Sequence, residues 1–493
     1  MNLAHKIKDG IVNGIRSFLR LEPADTSSFT VKEQLDFEGK AFLNRLWYRG
    51  DGYELEQMYR QLGGGLSGSF WGAIPTRGME LIKRHTGIPK LAVNTLAGIA
   101  ARDFNGIEVS DRVQQEQWDD ISEENRISDL ILEAVEDMLV VGDGAFKISL
   151  DPAVSKLPII EWYSGEKVRF NRRRGRVYEV EFLTEYRSEE SRKCYFLHEY
   201  YGFGYVRYRL VCEGRECELS SLSETAGLTN VEFDGDFMLA VPLMMHKSKQ
   251  FPGRGQSIFD GKLDAFDALD EAISQWWQAM RDSRPKTYFP ERYIPRDPKN
   301  GAMLRPNPFD NSFVKVNSNM SEGANDRITV EQPAFPAADY NTTYCTALDL
   351  ALEGIVSPST LGIDVKKLDN AEAQREKEKV TLYTRNLIIS ALTSALEKLA
   401  GAVLKTCAVM NKSAVTDVEI KVKFGEYANP SFEAAVETLS NPSAPMSVEA
   451  KVDELWGDSK DEEWKKTEVQ RIKEQTGVAS VEEPSFGEFG GDE

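Results

Sequence analysis

The sequence predicts an α+β fold, and three observations carry that expectation. Between Phe146 and Val211 apolar residues recur at every second position, in short runs separated by turn signals. Around Leu263 to Met280 and Val380 to Val403 they recur at the helical period instead. Between these helical stripes lies a stretch rich in Pro, Asn and Asp with short β-like pieces (KTYF, SFVKV, RITV). At 493 residues the chain has room for two to four domains by the usual domain size. A 41% hydrophobic content and a mean hydropathy of -0.42 supply real cores. No window of about 18 uninterrupted apolar residues occurs, so no transmembrane helix is expected.

The elements follow in order. The first 23 residues mix apolar positions with Lys, Asp, Asn and Arg. They lack the apolar run of a signal peptide and read as a short basic amphipathic helix. Such a helix docks on the body or on a neighbour, with membrane-surface binding as the alternative. Residues 30–62 read as two helices separated by Arg49-Gly50-Asp51-Gly52. The glycines from Gly63 suggest a phosphate cradle, but no Gly-Lys-Ser/Thr follows, which leaves a surface loop. Residues 87–101 form a small-residue helix and 127–141 an amphipathic one, closed by Gly142-Asp143-Gly144. From Phe146 onward six short strands form an antiparallel meander, giving an α+β domain over about residues 25–250. Tyr178, Val180 and Phe182 alternate with Glu179 and Glu181, which predicts one half-buried face.

A glycine-punctuated turn then opens a helix at about 261–283. Its apolar stripe is Leu263, Phe266, Leu269, Ile273, Trp276, Trp277 and Met280. Asp264, Asp267, Glu271, Gln275, Gln278 and Asp282 occupy the opposite face. Residues 284–336 read as a small extended subdomain. A second helix at 337–356 carries Tyr340, Tyr344, Ala347, Leu348, Ala351 and Ile355, and a loop at 357–370 breaks it at Pro358 and Gly362. A third, long helix runs over 371–410, followed by a strand at 419–427 and two acidic helices after a Pro/Ser-marked break at 441–445. The Glu-, Gly- and Pro-rich tail from Gly477 has a disordered composition.

Signals for catalysis are sparse. His5, His85, His198 and His246 show no metal-ligand spacing, and no Gly-x-Ser-x-Gly occurs. Gly253-Arg254-Gly255 begins a dinucleotide-like run, but Ile258 stands at the third glycine position. The carboxylates Asp267 and Glu271, four apart on a helix, read as a solvated face rather than an acid/base pair, which would need an apolar pocket. Trp276 and Trp277 lie on an apolar stripe beside acids, not on the basic groove of a single-strand binder. The five cysteines are odd in number, which points to reduced thiols in a cytoplasm. Cys212 and Cys217 have no second pair to complete a zinc site. No catalytic, cofactor or metal site is therefore expected. The net charge of -19 disfavours a protein that grips DNA through phosphate neutralisation. An acidic wall past which a duplex slides is compatible with it.

Several segments carry a resemblance. HTGIPKLAVNTLAGIAARDFNGIEV (85–109), GDGAFKISLD (142–151), the GRGQSIFD…LDEAISQ stretch, SPSTLGID with NAEAQREKEKVTLYTRN (357–386) and the acidic C-terminal helices resemble, in that order, parts of tailed-bacteriophage portal proteins. The likeness is to the siphophage portal family of Gram-positive hosts. It implies a wing at 1–259, a first stem helix at 260–284, a clip at 285–336 and a second stem helix at 337–356. It further implies a tunnel loop at 357–370, a long helix with the return strand of the wing at 371–440, crown helices at 441–476 and an acidic tail at 477–493 that matches no portal part.

The resemblance implies a dodecameric ring of this chain at one capsid vertex, the conduit for DNA packaging and ejection. It implies as partners double-stranded DNA, the terminase large subunit, a head-completion or adaptor protein, and the major capsid and scaffolding proteins, with no membrane. The location would be the virion, after assembly in the host cytoplasm. Lys366, Lys367 and Asp364 would face the DNA channel, and Asp264, Asp267 and Glu271 would form the acidic stem face. Trp276, Trp277, Phe266, Leu269, Tyr344 and Leu348 would pack between subunits. Another ring-forming head–tail connector or minor capsid protein is the alternative, and a DNA-processing enzyme the third class.

Overall fold

The computed structural model describes residues 34–62, 68–74, 81–188, 192–290, 296, 298–299, 301, 313–316, 328–363, 371–425, 448–449, 451–452 and 462–475. The fold is α+β. Helix α1 (Phe37–Arg49) starts where the Asp36 side chain accepts from the Gly39 N–H at 2.8 Å, and Gly50, at φ 73°, ends it. It is followed by α2 (Gly52–Leu62) and α3 (Ile88–Arg102), where Pro89 sits in the first turn. Ala92, Ala97 and Ala100 let α3 pack closely against α1 and α5 (Ile127–Val141), which is buried along most of its length.

Next come β1 (Phe104–Val109), α4 (Arg112–Glu124), β2 (Asp143–Ser149) and β3 (Ile159–Ser164). The meander is β4 (Val168–Arg173), β5 (Arg176–Arg187), β6 (Cys194–Gly202), β7 (Tyr205–Cys212) and β8 (Arg215–Cys217), in that spatial order. The short β9 (Val231–Glu232) adds to β7, making six antiparallel strands. A second sheet runs β10-β2-β3, with β10 at Ala240–Met244. Helix α6 (Leu263–Asp282) leads to a three-stranded sheet of order β12-β11-β13 (Phe313–Val316, Lys286–Pro290, Thr329–Glu331). In it β11 pairs parallel with β12 and antiparallel with β13. Helix α7 (Ala337–Leu352) then packs along α6, and α8 (Ala371–Met410) returns to the first domain, where β14 (Ile420–Phe424) pairs with β1. Helix α9 (Glu462–Gln475) lies near the end.

The structure departs from the sequence expectation in identifiable ways. β1, α4 and β10 escape the periodicity. α4 is polar and buries only Trp118 and Ile121. The pairs β1–β14 and β10–β2 join segments far apart in sequence. In β5, Val180 and Phe182 are buried while Tyr178 is 45% exposed. Glu181 is buried as well, because His198 Nδ1 lies 2.6 Å from its Oε1, so both faces of the strand are covered. Helix α7 ends at Leu352 rather than 356, since Gly354 turns at φ 75°.

Within Lys379–Met410 of α8 an 18-residue window, of mean hydropathy 1.6, is apolar and long enough to cross a membrane by composition alone. Ile388, Leu392, Leu396, Leu399 and Val403 have no exposed surface, and they pack in the same core as α3 and β10. Its hydrophobicity is accounted for by that core.

Candidate functional site: a helix pair anchored at its root

Helix α6 places Asp267, Asp270 and Ser274 at i, i+3 and i+7, which brings them to one face. That face meets residues 69–71 and 84–86. The Phe70 N–H donates to Asp267 Oδ2 (2.5 Å) and the Trp71 N–H to Oδ1 (3.1 Å). Asp270 Oδ1 accepts from the Thr86 N–H and hydroxyl, both at 2.9 Å, and Oδ2 accepts from Trp71 Nε1 at 3.1 Å. His85 Nδ1 lies 2.7 Å from the same Oδ2. A carboxylate only accepts, so that nitrogen carries the proton. Ser274 Oγ accepts from the Arg84 N–H (2.9 Å). Lys83 Nζ clamps the strap from behind, donating to the carbonyls of Trp71 (2.7 Å) and Ala73 (2.9 Å). Burial raises the Asp267 pKa. The two backbone N–H groups oppose that rise, and the neighbouring Asp270 and Glu271 add to it.

The segment before α6 is fastened by a second cluster. Arg254 donates to Asp143 through Nε (3.0 Å) and Nη2 (2.7 Å), and to the carbonyls of Val168 (2.7 Å) and Gly165 (2.5 Å). Its guanidinium stacks over the Phe37 ring at 3.7 Å. The Gly255 N–H donates to Asp143 Oδ2 at 2.6 Å. Gly142 and Gly255 touch here: a Cβ on Gly142, at φ 116°, would stand 2.7 Å from the Gly255 carbonyl oxygen. The Gly-Arg-Gly that resembles a nucleotide loop is thus a structural latch between β2 and α6.

The far side of the pair is held by α8. Thr381 Oγ1 accepts from the Ser357 N–H (2.9 Å), and the Thr384 hydroxyl donates to the Ile355 carbonyl (2.8 Å). Arg385 reaches Asp103 (2.7 and 2.5 Å) and the Gly425 carbonyl (2.7 Å). These contacts fix the base of the loop that follows α7.

The residues singled out from sequence fall into three groups. Asp364, Lys366 and Lys367 lie outside the described residues, as do the first 33 residues, most of 291–327 and the 477–493 tail. The expected acidic face divides. Asp264 and Glu271 are exposed, but Asp267 is buried, because residues 69–71 cover it. Asp270, fully buried, was not singled out, since nothing in the local pattern shows that His85, Thr86 and Trp71 fold onto it. Of the residues expected between subunits, Phe266, Leu269 and Leu348 are corrected: they are buried within this chain's own core and cannot meet a neighbour. Trp276 packs on Tyr344 with ring centroids 6.0 Å apart, both half-buried. Trp277 is 43% exposed, with Arg84 over its ring at 5.2 Å. Among the described residues no group of three or more His, Cys, Asp or Glu side chains is placed to hold a metal ion.

No protein-family model and no curated protein matches the chain. Among solved structures it is similar to a chain from the virion of a native gene transfer agent (GTA) particle, at 13% identity and a TM-score of 0.39, covering 75% of this chain and 89% of that one. It is similar also to a chain from the neck of the native GTA particle computed with C12 symmetry (13%, TM-score 0.38, 75% and 89%). A chain from the neck of the empty particle computed with C6 symmetry is a further match (14%, TM-score 0.40, 75% and 90%). Likeness at this level carries no functional argument.

Proposed function

We propose that this chain is a portal subunit, one wedge of a closed ring at a single vertex of a tailed-phage-type capsid, through which double-stranded DNA is packaged and ejected. One observation carries the proposal: the order and anchoring of its parts. An α+β domain gives rise to a helix, a small three-stranded sheet, a returning helix, a loop and a long helix that re-enters the first domain. The pair α6–α7 is rooted in that domain by Asp267, Asp270 and Arg254 and leaves apolar side chains on its outer half exposed. A head-to-tail cyclic assembly covers such surfaces between neighbours, where a monomer cannot.

In this reading the ring is a dodecamer, and residues 285–336 meet the terminase large subunit and later the adaptor protein. Residues 357–370 face the channel, where Lys366 and Lys367 touch phosphates without base readout. The net charge of -19 suits a wall that lets the duplex slide. The chain acts as a conduit and not as an enzyme, so it should show no nuclease activity with Mg²⁺ or Mn²⁺.

Native mass spectrometry and negative-stain imaging of one purified sample test the reading. Closed rings of about a dozen subunits with a central hole are the expected result. A stable compact monomer at micromolar concentration, in low and high salt alike, would overturn it.

A further inference from the structure

The turn between β4 and β5 gathers positive charge against local preference. Its central residues are Arg174 (φ 51°) and Gly175 (φ 79°), a two-residue hairpin loop that asks for positive φ at both positions and is served best by Asn-Gly. Arg173 and Arg176 close it as directly opposed residues, where like charges destabilise the pair. The loop between β7 and β8 has the same form with Glu213 (φ 52°) and Gly214 (φ 76°), so the backbone does not require arginine. Arg173, Arg174 and Arg176 are exposed, and among the described residues none has an ion-pair partner. Elsewhere on the meander Arg169, Arg187, Lys193, Arg207 and Arg209 each lie within 4.0 Å of a glutamate.

The complementary charge lies at the start of α5. Where α4 meets α5, Asp119, Glu123 and Asp129 line an open hollow of 350 Å³ together with Arg126, three carboxylates to one cation. Glu133 follows Asp129 at i+4 on the same face, and it too is exposed. Burial raises the Glu133 pKa, Asp137 and Glu136 add to the rise, and Lys167 opposes it.

The tip and the hollow belong to opposite ends of α5. Arg254 ties Asp143, just past the end of that helix, to the carbonyls of Gly165 and Val168, so β4 is rooted there. The strand stays at that end, since Arg172 Nη2 lies 3.9 Å from Met244 Sδ and Met244 pairs with Asp143. The helix between them has 15 residues and is about 22 Å long.

We infer that the arginine tip of one copy docks in the acidic α4–α5 hollow of the next copy. The inference deepens the ring reading and rests on it. Unlike patches at opposite ends of one helix pair head-to-tail, which is the arrangement that closes a ring. At a net charge of -19 the copies repel one another, and a contact between opposite charges offsets that repulsion where they meet. Guanidinium groups grip carboxylates in bidentate fashion. A long polyanion suits the tip less well, because β5 continues with Glu179 and Glu185, which repel a duplex laid along the strand.

The test uses the full chain and a charge swap. One variant carries Arg173→Glu and Arg176→Glu, a second carries Asp119→Arg and Glu123→Arg, and a third carries all four. Native mass spectrometry at constant salt counts the assemblies. Either reversal alone should lower the assembled fraction at least tenfold, and the four together should bring it back to within about threefold of wild type. A second readout does not depend on how the reversals fold. With Arg174→p-benzoylphenylalanine, photo-cross-linking should join position 174 to peptides containing residues 119–129 of a different copy, identified by mixing isotope-labelled and unlabelled chains. Wild-type rings with reversals that have no effect, reversals that do not rescue each other, or cross-links that stay within one chain or map elsewhere would overturn the inference and leave the ring reading standing. A tip variant that assembles normally but no longer binds a short fluorescent DNA duplex would overturn it too, in favour of a nucleic-acid contact. A wild type that stays monomeric sinks both readings, whereas open chains that obey the charge swap support the contact and remove only the ring.

Discussion

The two parts of α6 have opposite fates. Its first half, Leu263 to Ser274, carries Asp264, Asp267, Asp270 and Glu271, yet it buries Phe266, Leu269, Asp267, Asp270 and Ser274. Its second half, Gln275 to Asp282, carries two tryptophans and a methionine, yet Trp277 and Met280 are 43% and 40% exposed. Hydrophobicity does not decide which half is inside. The root is buried because Phe70, Trp71, His85 and Thr86 supply backbone and side-chain donors to its carboxylates, and a buried carboxylate persists only where such donors meet it. Among the described residues no such strap covers Trp277 and Met280, which are left for another surface.

That contrast can be broken experimentally, and the largest effect belongs to the latch beneath the root. Arg254→Met leaves Asp143, which has no exposed surface, without its counter-charge, and should cost about 3–5 kcal/mol in chemical denaturation of the full chain. A loss below about 1 kcal/mol would show that the latch does not hold the root.

Next in size is a paired test within the root. Asp270→Ala strands the donors of Trp71, Thr86 and His85 and should cost about 3 kcal/mol. Asp264→Ala, nearly two turns away and exposed, should stay within about 0.5 kcal/mol. Equal losses would erase the distinction between the two carboxylates.

The outer half should respond in assembly rather than in stability. Trp277→Ala removes a partly exposed contact with Arg84, and should change unfolding by about 1 kcal/mol or less. If the outer half meets a neighbour, the same variant should lower the ring population at least tenfold by native mass spectrometry. Unchanged rings would move the intersubunit surface elsewhere on the chain.

The smallest effect sharpens the electrostatics of the root. Burial raises the Asp267 pKa, so the folded state holds its proton more tightly than the unfolded state. The stability that Asp267 contributes is therefore greatest below the ordinary aspartate pKa of about 3.9, and it falls as pH rises from there through the raised folded value. The difference in unfolding free energy between wild type and Asp267→Asn should decline over that window and level off above it. A difference that grows with pH would mean that the Phe70 and Trp71 N–H groups outweigh burial.

Local patterns were enough for much of the fold. Helix α8 could be read at 371–410 because an apolar stripe from Val380 to Val403 persists for about seven turns beyond its charged start, and the meander because β4 to β7 alternate with clear turns between them. A strand was legible at 419–427, where β14 lies, but β1 and its pairing with β14 were not. Each is only five or six residues long, and their pairing matches Ile107 to Val422 across most of the chain. The root of α6 was legible only in part. Its apolar stripe was visible, but Asp267 and Asp270 read as solvated or went unremarked. Their partners Phe70, Trp71 and Thr86 lie 184 to 199 residues away. His198 on Glu181 escaped for the same reason on a smaller scale, being a contact between two strands and not within one.

The sequence by itself determined the α+β class, the order of the long helices and the meander strands, the net negative charge and the amphipathic stripes. These follow from the local steric and solvation preferences of neighbouring residues. Only the tertiary structure decided which carboxylates are interior, that Gly253-Arg254-Gly255 is a latch, and that the long apolar stretch of α8 packs into the core. Each of these depends on which distant donor, ring or backbone arrives at a given side chain. A sequence records a residue's neighbours along the chain, whereas burial and hydrogen bonding are set by its neighbours in space.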